Sequence, residues 1–146
     1  MKKKMHPAKK YLLKLEKLDN LIANKKAERE QWLDSAKSTT IQLTEKVQTS
    51  SNGDKLAKAV VKAVDIEREI DECIVELYYK KKDIISNIEK LNADEYDVLH
   101  KVYVQYKSLK EVQYLKNRSY SSITSIHGRA LNNLWEIVGK EDSNEY

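Results

Sequence analysis

The stretch LAKAVVKAVDIEREIDECIVELYYKKKDIISNIEKL, residues 56–91, decides the fold. Counting from Leu56 by four and three alternately gives Val60, Ala63, Glu67, Ile70, Ile74, Leu77, Lys81, Ile84, Ile88 and Leu91, so nine of these eleven positions are apolar. A period of about 3.5 residues held over so many turns is the mark of a helix that lays one seam against another helix. At about 1.5 Å per residue such a helix is roughly 55 Å long, and it needs a partner. Two partners satisfy the seam: the preceding helix folded back antiparallel, or a second copy of the chain in a homodimer through a coiled-coil arm. Glu67 and Lys81 fall on the seam, where burying a charge is costly, so they tune register or mark where the partner ends.

Upstream, Tyr11, Leu12, Leu15, Leu18, Ile22, Trp32, Leu33 and Ala36 recur at helical spacing around a polar waist at 24–31. Pro7 suits the first helical position, where no backbone donor is required. Residues 37–53 are rich in Ser, Thr, Asn and Gly and read as a flexible connector, with Gly53-Asp54 launching the long helix. Downstream, Asn92 or Asp94 caps a new helix carrying Tyr96, Leu99, Val102, Tyr103 and Tyr106. Ser108 begins a short helix through Leu115 or Lys116, and Ser119–Val138 forms a last amphipathic helix. The expected organisation is all-α: a helical coiled-coil arm at 1–91, a compact tri-helical unit at 92–138 and a polar tail at 139–146.

Composition agrees with helix. The chain has 146 residues, three Gly, one Pro and no Phe, which leaves little material for hairpins or phosphate-cradling loops. A mean hydropathy of -0.72 confines apolar residues to narrow faces. The single cysteine, Cys73, has no intramolecular disulfide partner, which suits a reducing, cytoplasmic setting. The basic amino terminus is followed by charged residues rather than an apolar run, so no signal peptide is expected, and no stretch of 18 apolar residues exists to cross a membrane.

Residues 109–128 fit a helix-turn-helix. Val112 points inward from the first helix, Asn117 takes the turn position that needs positive φ, and Ile123 and Ile126 anchor the second helix. Gln113 stands where a small residue normally permits close packing, and Lys116 stands at a usually apolar site. From Lys107 to Trp135 there are five cations, Lys107, Lys110, Lys116, Arg118 and Arg129, against Glu111 alone, a local excess of +4. In such a motif the start of the second helix enters the major groove, which makes Ser119, Tyr120, Ser121, Ser122, Thr124 and Ser125 groove-facing candidates. Lys110, Lys116, Arg118 and His127 would hold phosphates, and Tyr120 and Arg129 would supply specificity. Gly128 inside a helix suggests close approach by DNA or by another helix.

The segments Ser108-Leu109-Lys110-Glu111-Val112, Arg118-Ser119-Tyr120-Ser121 and Ile126-His127-Gly128-Arg129-Ala130-Leu131 resemble sigma-factor region four as carried by small phage and prophage regulators of the ArpU and RinA type. The resemblance implies a transcriptional regulator of late genes that binds double-stranded promoter DNA, with RNA polymerase as a further partner. Alternatives are a phage packaging adaptor like a small terminase subunit and a helical interaction protein that inhibits a host factor. No cofactor is implied. His6, His100 and His127 lack ligand spacing for a metal, and Cys73 lacks a nearby histidine, so no catalytic constellation is read and an enzyme is not expected.

Overall fold

The computed structural model describes residues 4–45 and 50–143. Five α-helices are present among them: α1 (Pro7–Glu45), α2 (Ser50–Ile88), α3 (Ala93–Leu99), α4 (Leu109–Lys116) and α5 (Tyr120–Ser143). A π-helical turn, His100–Val104, follows α3, and no strand occurs among the described residues. The fold is all-α. It divides into two compact units, Leu18–Leu77 and Met1–Lys17 with Tyr78–Tyr146, so the tri-helical segment at 92–138 shares its unit with the first turns of α1 and the end of α2.

Within Leu18–Leu77, α1 and α2 pack antiparallel. Lys25 Nζ bonds Glu69 at 2.7 Å and Arg29 bonds Glu67 at 2.6 Å, so the polar waist of α1 supplies the cross-helix ion pairs. Between them Ile22, Ile66 and Ile70 form a core edged by Trp32, Cys73 and Leu77. The seam's partner is therefore the chain's own first helix, and the expected homodimer through the arm has no support. Half of the seam also shifts. Ala63, Ile70, Ile84 and Ile88 are buried as expected, but Ala59, Ile66 and the half-buried Cys73 replace Val60, Glu67 and Ile74 on the inward face. Each inward residue precedes its neighbour on the 63–70–77–84 row by four positions rather than three. Four is closer to the natural helical turn and lets the helix pack without supercoiling to a strict heptad.

Helix also occupies most of the segment read as a connector. Helix α1 continues to Glu45 and α2 begins at Ser50, upstream of Gly53; only 46–49 of that reading lies outside the described residues. Thr39 accommodates itself to the helix by donating its hydroxyl to the carbonyl of Ser35 at 2.9 Å. At the other end of the chain, α5 runs past Val138 to Ser143, where a tail was expected.

In the second unit, His6 caps α1. Its Nδ1 accepts from the amide of Ala8, which leaves Nε2 to donate to Asn132 Oδ1 at 2.8 Å. Tyr11 donates to Asp83 and accepts from the buried Asn87 side chain at 2.9 Å, holding the start of α1 on the end of α2. Asn92 caps α3 through its side-chain oxygen and the amide of Glu95. Buried Val98, Val112, Ile123 and Ile126, with Val102 and Leu109 beside them, then bring α3, α4 and α5 onto one core.

Two substitutions test these assignments. Ile70→Ala, at a fully buried position, should cost about 2–4 kcal/mol in urea denaturation, whereas Ile74→Ala, 44% exposed, should cost less than about 1 kcal/mol. Gly128 has nothing within 4 Å of where a Cβ would sit, so no other helix approaches it. Gly128→Ala should raise stability by about 0.5–1 kcal/mol in the same assay.

Candidate functional site

Helix α4 is short, and its ends are closed by side chains. Ser108 accepts from the amide of Glu111 while Glu111 reaches back to the amide of Ser108, a reciprocal capping box. At the other end Asn117 adopts the left-handed conformation, φ 51° and ψ 48°, and Arg118 N–H bonds the carbonyl of Gln113 at 3.3 Å. The chain reverses tightly, and Ser119 receives the amide of Ser122 at the start of α5.

The charged residues beside this turn are already engaged. Lys116 Nζ lies 2.6 Å from Asp97 and 3.5 Å from Asp94, and its side chain is only 13% exposed. The guanidinium of Arg118 grips both oxygens of Asp94, at 3.0 and 3.2 Å. That hydrogen bonding holds the Asp94 carboxyl below its ordinary range. Burial opposes ionisation of Asp97, but Lys101 and Lys116 outweigh it and lower that carboxyl as well. The apolar site occupied by Lys116 is thus accommodated by α3, which brings a carboxylate to it, while Leu115 is turned outward.

The remaining sequence-selected residues separate. Lys110, Ser121, Ser125 and Arg129 are exposed, Ser122 and Thr124 are half-buried, and the Thr124 hydroxyl is spent on the carbonyl of Ser121. His127 is turned inward: its Nε2 lies 2.7 Å from the Tyr103 hydroxyl, with the rings stacked. Burial pushes Tyr103 up to about 12, so the phenol keeps its proton and donates, and His127 Nε2 is the acceptor. Burial first, then Lys9 and His6, lower the His127 pKa. A phosphate-holding role is thereby replaced by a structural bond.

Counting along the chain missed the two aspartates. Five cations and one glutamate give +4, and adding Asp94 and Asp97 gives +2, with two of the cations bound to those aspartates. What stands out at the turn is aromatic: Tyr114 is 86% exposed, Leu115 57% and Tyr120 47%. Only Tyr120 was selected from sequence. Tyr114 and Leu115 could have been found as the residues left over once Val112 is assigned to the inward face of α4.

Residues 97–146 match the family described as Autophagy protein ATG5, alpha-helical bundle region. The similarity spans 50 of the chain's 146 residues and covers α4, α5 and the turn between them. No curated protein and no solved structure matches the chain. These findings correct the phage-regulator reading. The similarity is to an autophagy protein rather than to ArpU or RinA regulators, and it gives no support to promoter DNA, RNA polymerase, a packaging adaptor or a host-factor inhibitor. The engaged state of Lys116, Arg118 and His127 supplies a physical reason why the cationic face read from sequence is diminished.

His127 and His100 are both lowered, so the unfolded chain binds their protons first as pH falls. Stability at these groups is complete above their ordinary value and is lost on descending through it toward the folded values. The urea midpoint should therefore fall between pH 7 and pH 5, before carboxylates titrate, and His127→Gln should flatten that dependence.

Proposed function

We propose that the chain is a non-catalytic helical module that binds a partner protein through the aromatic surface at the α4–α5 turn. The observation that carries this reading is the exposure of Tyr114, Leu115 and Tyr120 beside cations already paired with α3. Tyrosine and leucine held on a capped, rigid turn lose little side-chain freedom on association, and aromatic side chains are frequent energetic anchors of protein interfaces. The partner chemistry follows: an apolar groove with carbonyl or carboxylate acceptors that receive the two phenols. The similarity of residues 97–146 to the alpha-helical bundle region of an autophagy protein supports an autophagy-related setting for this unit. No helix among the described residues is long and apolar enough to cross a membrane.

A photocrosslinking residue placed at position 114, with one at position 68 as control, should capture a protein at the turn alone. Against that protein in purified form, Tyr114→Ala with Leu115→Ser should weaken binding by about 2 kcal/mol, roughly thirtyfold, with the thermal midpoint unchanged. Equal affinity of the double variant and the parent chain would remove the reading.

A further inference from the structure

On the face of the same unit built by α1, the π-helical turn and α4 lies a cleft of about 370 Å³. Leu13, Val102 and Leu109 give it apolar walls, and Tyr103, Tyr106 and His127 give it aromatic ones. Lys9 and Lys107 line it too, half-buried, and neither ammonium is ion-paired among the described residues. Elsewhere in the chain partly buried cations do find carboxylates, as Lys25, Arg29, Lys101 and Lys116 do.

The backbone around the cleft is unusual in two places. The π-helical turn sets Val102 and Tyr103 into the wall, and Tyr106 sits at φ 57°, a left-handed conformation that a bulky side chain adopts at a cost. Glycine would relieve that conformation and would also remove a ring from the cleft. Strain kept at a cavity wall is the kind of feature that accompanies a binding site.

From two lysines without ion pairs lining one cleft with apolar and aromatic walls we infer that this cleft binds a small monoanionic carboxylate bearing an apolar or aromatic body. The charge sets the class. Lys9 and Lys107 contribute two positive charges, Glu16 at the rim returns one negative charge, and the net +1 matches a carboxylate better than a phosphate dianion. The carboxylate lies between the ammoniums, the body lies against Leu13 and Val102, and the Tyr103–His127 pair stays intact as a wall. The cleft is independent of the aromatic turn and of the partner it is proposed to bind.

Titration of the full chain with 4-phenylbutanoate, followed by NMR of the His127 ring and of the Lys9 and Lys107 side chains, tests this. Saturable binding is expected, with 4-phenylbutanamide weaker by roughly tenfold and Lys9→Met with Lys107→Met weaker by a similar factor. Glu16→Gln should tighten the acid and leave the amide unchanged. Binding of acid and amide with equal affinity, an unaffected lysine variant, or no saturation in the millimolar range would each overturn the inference. Tighter binding of phenyl phosphate than of the carboxylate would overturn its charge class. If the lysine variant does not fold, Glu16→Gln decides: unchanged affinity for the acid refutes the site.

Discussion

Asp94 and Asp97, one turn apart on α3, hold the α4–α5 turn through Lys116 and Arg118. This attachment determines what kind of surface the turn presents. Ion pairs near solvent contribute little to stability, and most of the folding free energy of this unit comes from Val98, Val112, Ile123 and Ile126. Their importance lies in specificity. By neutralising two cations and drawing Lys116 inward, the aspartates leave the hydroxyphenyl rings and Leu115 as the prominent chemistry of the turn.

The same logic governs the longer helices. A helix with a polar waist cannot form a continuous apolar seam with its neighbour, and α1 does not do so. Lys25 and Arg29 bridge to Glu69 and Glu67 where apolar residues are absent, and Ile22 meets Ile66 and Ile70 where they are present. Charges that look disruptive when α2 is considered alone become complementary when α1 is laid beside it. Glu67 is tolerated because its carboxylate remains at the edge of the pair, more than half exposed.

How much of this was legible in the sequence depends on the range over which each signal acts. Local signals read well: Pro7 opening α1, Ser108 opening α4, Asn92 capping α3 and Asn117 taking positive φ all depend on a few neighbouring residues. The row 63–70–77–84 was legible because burial recurs along it, but of the companion row only Ile88 was. A heptad count cannot distinguish three residues from four when Val60 and Ala59, or Ile74 and Cys73, stand side by side. Ser/Thr content misled at 37–45 because a threonine such as Thr39 can satisfy its hydroxyl on its own helix. The functional face was least legible. The charge of a surface is set by what folding brings together, and Asp94 and Asp97 lie too far upstream for a window starting at Lys107 to include them.

His127 shows the same limit at a single residue. In sequence it stands among hydroxyls and cations and resembles a phosphate ligand; in the fold it faces Tyr103, contributed by the π-helical turn. A histidine that accepts from a buried phenol is held neutral by two effects acting together, loss of solvent and the nearby charge of Lys9. It therefore adds no cation to α5 near neutrality, and its ring serves as a wall. The π-helical turn makes this geometry by closing its hydrogen bond five residues back, Gln105 N–H to the His100 carbonyl, rather than four as in an α-helix, which redirects Tyr103 toward α5 while Val98 and Leu99 remain in the core. The backbone irregularity and the inward histidine are thus two parts of one arrangement, and the cleft between α1 and α4 is the space that it leaves.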